Sequence, residues 1–297
     1  MIDIRLKVFR SVATNLSFTK ASQELFISQP AISKHIQELE REFSTRLFDR
    51  LGNKIQLTSA GKLLLDHSVR ILKDYQRLDF DMNAMQQQFK GELRIGASTT
   101  ISQYVMPEIL AAFLKAYPQI KVNMLSGNSR DIESALVSNR IDIGMVEGIS
   151  RQPQMKYSPF MRDELVAIVR NVSPLAGRDE ITVDELRTLP IVLRELGSGT
   201  LDVIEKYLHQ HDCNISDLNI SMHFGSTEGI KHFVEHSDSI GIVSVRSVGK
   251  DLLAGIFHLV EINGMKMDRD FMFVEKRGET AGMAAVLKSF ITNGYSQ

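Results

Sequence analysis

Cysteine is nearly missing from this chain: Cys213 stands alone among 297 residues, so no intrachain disulfide is possible and a reducing compartment is expected. Long apolar stretches are missing too. No run approaches the ~18 residues of a membrane-spanning helix, and the first residues alternate charged with apolar side chains where a signal peptide would be continuously apolar. These absences predict a cytoplasmic protein with no membrane partner. Excess charge is also lacking, since 35 Lys and Arg stand against 36 Asp and Glu, a formal net charge of −1. Binding to nucleic acid would therefore have to rest on a local patch. With 43% hydrophobic and 24% charged residues, the composition is ordinary for a globular protein of two or more domains.

The lone thiol carries no evident chemistry. A redox-sensing cysteine sits beside a resolving partner or a strong positive field, whereas Cys213 follows His211 and Asp212, so it is expected to be an inert thiol, exposed or half-buried. His209, His211 and Cys213 are metal-ligand types in one short stretch. On a helix end the two histidines point in different directions, and no metal or other cofactor is expected.

What is present centres on residues 28–39. Ser28 suits an N-cap, its hydroxyl accepting from a first-turn amide, and Pro30 falls in the first turn, where its missing N–H does no harm. Ile32, Ile36 and Leu39 recur at helical spacing and can face a core, while Gln29, Ser33, Lys34 and Gln37 fall away from that stripe. Amides and hydroxyls on the outward face suit the reading of base edges in a major groove. Just before it, residues 17–25 read as another short helix, with Ala21 small enough for a close crossing. Two helices joined by so tight a turn form a helix-turn-helix, which places Thr19 and Lys20 toward the backbone and Ser28, Gln29, Pro30, Ser33 and Lys34 toward the groove of double-stranded DNA. Within residues 1–60, Arg5, Lys7, Arg10, Lys20, Lys34, Arg41, Arg46, Arg50 and Lys54 outnumber Asp3, Glu24, Glu38, Glu40, Glu42 and Asp49. The excess is modest, and predicts a binder that gains affinity by pairing subunits on DNA.

Several separate motifs then fall in one order: Ser17-Phe18-Thr19 through Ala21, Ser28-Gln29-Pro30-Ala31-Ile32-Ser33, Leu39-Glu40, Leu47-Phe48-Asp49-Arg50 and Leu57-Thr58-Ser59-Ala60-Gly61. This order resembles the N-terminal signature of LysR-type transcriptional regulators, and the resemblance extends over essentially the whole chain. It implies a sequence-specific DNA-binding regulator acting as a homodimer or homotetramer, with RNA polymerase as a further partner.

After the recognition helix, residues 47–48 and 55–57 read as strand-like pieces around the turn signal Gly52-Asn53, a small β-wing. In similar proteins such wings contact the DNA backbone or minor groove, a role for Arg50 and Lys54. Asn53 and Gln56 are neutral where many relatives carry a basic residue, so wing contacts should be weaker. From Thr58 to Phe89 no proline intervenes, and Leu64, Ile71, Tyr75, Leu78, Met82, Met85 and Phe89 follow one another at steps of seven, four, three, four, three and four. That is a heptad seam with polar flanks, expected in a helix that pairs with its own copy.

Beyond Gly91 strand and helix patterns alternate: strands at 92–97, 121–125, 141–146, 165–169, 191–193, 221–224 and 240–243, helices at 105–117, 131–138, 200–211 and 229–236. The alternation predicts an α/β domain with a mainly parallel sheet. Its two halves resemble the two-lobed periplasmic-binding-protein-like effector domain of LysR-type regulators. The expected layout is a winged helix-turn-helix over 1–58, a linker and dimerisation helix over 59–90 and an effector-binding domain over 91–297. Lobe I would comprise about 91–160 plus 266–297 and lobe II about 161–265.

In that architecture a small ligand lies between the lobes, beyond the carboxyl ends of strands. Ser98, Thr99 and Thr100 follow the first strand, where hydroxyls and free amides can meet an anion; helix capping alone would need one of them. Arg194, Gly197, Ser198, Gly199 and Thr200 form a second loop whose amides can cradle an oxyanion, although a plain tight turn fits it equally well. It is not a P-loop, because no Lys follows in place, nor a nucleophile elbow, because both glycines flank Ser198 directly. Thr227, in a third loop, and Glu147, after the strand ending at Val146, complete the candidates. Their chemistry favours a polar or anionic effector. An α/β enzyme carrying a DNA-binding head is the rival reading, but no linked acid, base and nucleophile set appears and no catalytic residue is assigned. A purely architectural DNA-binding protein would leave the hydroxyl-rich loops without use.

Overall fold

The structure, a computed structural model, describes residues 3–51, 54–85, 89–277 and 282–295, apart from the side chains of 50, 51, 54, 73, 76, 77, 79–81 and 83–85. The chain divides into two units, Met1–Gln88 and Phe89–Gln297.

In the first unit, α1 (Ile4–Asn15) starts at Asp3, whose carboxylate accepts from the Arg5 amide at 2.9 Å. The next helix, α2 (Phe18–Leu25), starts at Ser17, whose hydroxyl accepts from Lys20. Then α3 (Gln29–Glu42) follows a three-residue turn. Val8, Phe9 and Val12 meet Ala21 and the Ile32, Ile36 and Leu39 stripe in one core, so the helical period becomes the packing face. The wing strands β1 (Phe48–Leu51) and β2 (Lys54–Leu57) pair antiparallel, Phe48 opposite Leu57; the Gly52-Asn53 turn lies outside the described residues. Thr58 caps α4 (Ser59–Met85), its hydroxyl accepting from Gly61 at 2.9 Å. A Cβ at Gly61 would collide with the Leu47 carbonyl, so glycine is required there.

The heptad seam is divided in fact. Leu64 packs into the core just described, while Ile71, Leu78 and Met82 are each at least half exposed. The Met85 side chain lies outside the described residues. Phe89 is not a seam position: α4 ends before it, and its ring packs edge-on against Tyr117, 5.3 Å away, in the second unit's core.

The second unit opens with β3 (Gly91–Ser98), α5 (Thr99–Tyr104), α6 (Met106–Ala116), β4 (Ile120–Gly127), α7 (Ser129–Val137) and β5 (Ile143–Val146). The helix expected over 105–117 is α6, with Pro107 in its first turn; the short α5 before it, ending at Val105, was not expected. A long strand, β6 (Met155–Arg170), then crosses into the other lobe. There follow β7 (Glu180–Ile181), α8 (Val183–Thr188), β8 (Ile191–Arg194), α9 (Gly199–His209), β9 (Ile220–Phe224), α10 (Thr227–Glu235), β10 (Ile240–Ser244), α11 (Gly249–Leu253) and β11 (Phe257–Ile262). The chain returns through β12 (Met267–Lys276) to α12 (Met283–Tyr295).

Strands order as β4-β3-β5-β12-β6-β10-β8-β9, with β11 beside the far half of β6 and β7 beside β11. The first half of β6 pairs with β12 and its last residues with β10 and β11, so β6 and β12 are the two strands shared by both lobes. The sheet is mixed rather than mainly parallel: β3, β4 and β5 run parallel, as do β8, β9 and β10, while β6 and β12 are antiparallel to their neighbours. A strand that crosses out and another that returns must run in opposite directions. Separate apolar cores lie on either side of the crossing, one around Ile95, Phe113 and Phe273, the other around Leu193, Ile204 and Ile242.

Candidate DNA-reading surface and interlobe site

Thr19, Lys20, Ser28, Gln29, Pro30 and Lys34 are exposed on the first unit and Ser33 is half-buried. Lys34 is held only loosely, 4.0 Å from Glu38 one turn on, which leaves its ammonium available to a phosphate. Ser28 does not cap α3 through its side chain, contrary to expectation. An N-cap hydroxyl accepts from the second or third helical amide; Pro30, in the second place, has no N–H, and the Ser28 hydroxyl does not take up the Ala31 amide in the third. The uncommitted hydroxyl stays at the helix tip. The side chains of Arg50 and Lys54 lie outside the described residues.

The interlobe candidates come together from loops at strand ends. Ser98 closes β3 and caps α5, and its hydroxyl donates to the Glu147 carboxylate, which is buried after β5. Thr99 and Thr100 sit in the first turn of α5, both buried, and their hydroxyl oxygens have no hydrogen-bond partner among the described residues. From lobe II, Arg194 is 1% exposed. Its Nε and Nη2 bond to Glu195 at 2.9 and 3.0 Å, and to the carbonyls of Phe224 and Gly225, while Nη1 is buried without a partner among the described residues. Thr200 and Thr227 are also buried.

Two amides of the glycine loop are taken up within the loop itself. The Ser198 amide donates to the Glu195 carbonyl, the Thr200 amide to the Ser198 hydroxyl, and the Gly197 carbonyl accepts from Arg130 of α7 at 3.2 Å. Gly197 holds φ +91°, and a Cβ on Gly199 would strike the Glu147 carbonyl. The glycines serve a close approach of the lobes, and the amides of Ser198 and Thr200 are already used.

Two clusters that the sequence does not signal join the lobes. Asp163 on β6 and Arg269 on β12 face each other across the shared strands, with Nε 2.7 Å from the carboxylate and both side chains almost fully buried. Arg269 also donates to the Thr200 hydroxyl at 2.9 Å, and Ser244 donates to Asp163 at 2.7 Å. At the other rim, Tyr104 of α5 donates its phenol to Glu228 of α10. Lys231 holds Glu228 at 2.9 Å and Asp251 at 2.8 Å. Burial, then the bond to Glu228, pushes the Tyr104 phenol well above its ordinary pKa. Burial opposes ionisation of Glu228, yet the bonds from Tyr104 and Lys231 outweigh it and lower the carboxyl. The Asp163–Arg269, Arg269–Thr200 and Tyr104–Glu228 contacts join residues far apart in the chain, so no local motif marks them.

Cys213 is buried rather than exposed or half-buried, its thiol 3.7 Å from the Asn214 carbonyl. His209 lies 3.9 Å from Glu205, and among the described residues no group of three His, Cys, Asp or Glu could hold a metal. Among those residues, too, no helix is long and apolar enough to cross a membrane.

A helix-turn-helix head and a two-lobed α/β unit with polar groups gathered between its lobes define a DNA-binding regulator with an effector-binding domain. Comparison with known proteins supplies the family. Residues 4–62 match the bacterial regulatory helix-turn-helix protein of the lysR family, and residues 86–292 match the LysR substrate binding domain. The HTH-type transcriptional regulator CysL of Bacillus subtilis is 31% identical over 269 residues, 91% of this chain and 89% of that one. A full-length OxyR variant from Pseudomonas aeruginosa shares the fold, with a TM-score of 0.74, 16% identity, and 99% of this chain and 94% of that one covered. The Synechocystis PCC6803 CcmR regulatory domain, solved in complex with 2-PG, has a TM-score of 0.63 and 24% identity over 69% of this chain and 97% of that one. The chain belongs to the LysR family of transcriptional regulators. It is not an enzyme, and the reading as an enzyme with a DNA-binding head falls with that membership.

Proposed function

We propose that this regulator reads a two-fold symmetric DNA site with Thr19, Lys20, Ser28, Gln29, Pro30, Ser33 and Lys34, assisted by Arg50 and Lys54 of the wing, and that a polar or anionic metabolite between the lobes governs that binding. The parts follow the boundaries 1–58, 59–90 and 91–297, with lobe I at about 91–160 and 266–297 and lobe II between. Pairing runs through α4, whose exposed Ile71, Leu78 and Met82 supply a seam for a second copy; two such dimers form a tetramer, and RNA polymerase is the partner on the promoter. The protein works in the cytoplasm. Effector contacts fall to Ser98, Thr99, Thr100, Glu147, Arg194, Gly197, Ser198, Gly199, Thr200 and Thr227.

One observation carries this reading. The Thr99 and Thr100 hydroxyls and Arg194 Nη1 are buried polar groups without partners among the described residues, and an unmet buried donor costs about 1–3 kcal/mol unless something satisfies it. A ligand with oxygens does so. Because a ligand shifts an equilibrium only by its differential affinity for two states, closing the lobes on it is what would change the placement of the DNA-binding heads.

Thermal unfolding of the full chain against small anions, 2-PG, amino acids, sugar phosphates and aromatic acids tests the proposal. A ligand at about 100 times its Kd should add about 2.7 kcal/mol, and Thr100→Ala should weaken that response. Tight binding of an uncharged apolar compound, indifferent to Thr100→Ala, would overturn the polar class. Absence of any response would favour the architectural reading.

A further inference from the structure

We propose that Arg269 is an effector-binding residue: its Nη2 amino group holds an oxyanion of the ligand, a carboxylate, sulfate or phosphate oxygen, at the strands that join the two lobes. The inference rests on the interlobe reading above and names both a residue and a ligand chemistry for that site.

The Arg269 side chain is 2% exposed, and two of its three nitrogens are committed: Nε to Asp163 at 2.7 Å and Nη1 to the Thr200 hydroxyl at 2.9 Å. Nη2 is buried and has no hydrogen-bond partner among the described residues. A guanidinium holds its five N–H groups in a rigid plane, so fixing Nε and Nη1 fixes the direction in which Nη2 points. Its charge is balanced by Asp163, yet its remaining donors are not, and an oxyanion is the ligand group that such donors bind best.

The surroundings are those of the interlobe site. Thr200 lies in the first turn of α9, next to Gly199, whose backbone abuts the Glu147 carbonyl of lobe I; the Glu147 carboxylate in turn accepts from Ser98, which precedes Thr99 and Thr100. Because the Thr200 oxygen already accepts from Nη1, its hydroxyl hydrogen is left to donate, which adds a second donor beside Nη2. Arg269 and Asp163 are opposed on β12 and β6, the strands shared by both lobes. A ligand oxygen on Nη2 therefore attaches to the crossing itself, where a rotation of one lobe against the other is registered.

Removing Arg269 alone would leave the buried Asp163 carboxylate with only Ser244 and the more distant Arg246, whose Nε lies 3.8 Å away, so the test uses two gentler variants. Arg269→Lys keeps the positive charge beside Asp163 but lacks Nη2, and Asp163→Asn with Arg269→Gln replaces the ion pair by a neutral hydrogen-bonded pair. Thermal unfolding of the full chain is followed with inorganic sulfate and inorganic phosphate against chloride at matched ionic strength. The native chain should gain about 2–4 °C at anion concentrations well above Kd, and both variants should lose most of that gain. An equal gain in either folded variant overturns the proposal. If that gain is also lost in Thr100→Ala, the interlobe site stands and only the role of Arg269 falls. A native chain that answers a neutral metabolite but neither anion likewise removes Arg269 from the site and leaves the site standing, whereas no answer to any compound overturns both readings.

Discussion

Glu133 shows what one buried carboxylate does to the pH response. It lies on α7, almost fully buried, and accepts from the Tyr157 phenol at 2.6 Å, while Arg151 stacks on the Tyr157 ring at 4.7 Å. Burial raises the Glu133 carboxyl above its ordinary value despite bonds from Tyr157 and Gln152 that work the other way, and burial followed by the Glu133 bond pushes Tyr157 up to about 12. A raised carboxyl means that the folded state holds its proton more tightly than the unfolded one, so this group's contribution is present at low pH and is lost as pH rises through the carboxylate range. Glu133→Gln, neutral at every pH, should therefore gain stability over the native chain at pH 7 and lose that advantage near pH 4; thermal unfolding at both values checks it. At this scale the sequence pointed to hydroxyls after strands, and Thr99, Thr100, Thr200 and Thr227 are buried there, but it passed over Ser129 and Ser244, which follow strands in the same way. It was silent for Arg269, whose partners Asp163 and Thr200 are distant along the chain, and Ser28 misled because a capping residue type does not fix its rotamer: Pro30 removes one of the two amides it could bind, and it leaves the other, on Ala31, unbonded.

Phe26, at the bend between α2 and α3, bears on how whole elements are set. It holds φ +54°, a left-handed conformation that costs a side-chain-bearing residue about 1–2 kcal/mol, and its ring is 94% exposed, so packing returns little. Glycine would avoid that cost at an entropic penalty of about 0.5–1 kcal/mol. Phe26→Gly should raise the opening free energy of the α3 amides by about 0.5–1 kcal/mol in native-state hydrogen exchange of the full chain; an unchanged or lower value would mean that the exposed ring contributes something the turn needs. Elements with a strong local period and a marked end, α1 through α3 and α4, were legible for the reason that their cores are local. The first half of β6 and all of β12 were not. Their polar alternation, Lys156 and Ser158 on one strand and Asp268 and Asp270 on the other, resembles a loop until each strand supplies the other's partner.

For the effector-binding unit as a whole, the lobes touch through two contrasting kinds of contact. Near the shared strands the joint is rigid: the Asp163–Arg269 pair, Thr200 and the Gly199 approach are all buried. At the far rim the Tyr104 phenol bonds Glu228, on a half-buried site where Lys231 keeps the carboxylate charged; burial tends to lower the Lys231 ammonium, but its bonds to Asp251 and Glu228 raise it. Rotation about the shared strands would thus part the Tyr104 rim first. A hydrogen bond to a charged group is worth about 1.5–3 kcal/mol net, enough to bias two lobe arrangements by tenfold or more. Tyr104→Phe removes that bond and leaves Glu228 paired with Lys231, so neither lobe loses its core. Amide exchange should accelerate about tenfold in α5 and the first turn of α10 while β3, β8 and the other core strands keep their protection. Equal acceleration throughout would mean that Tyr104 supports the unit's global stability, and no change would mean that the remaining interlobe contacts hold the lobes without it.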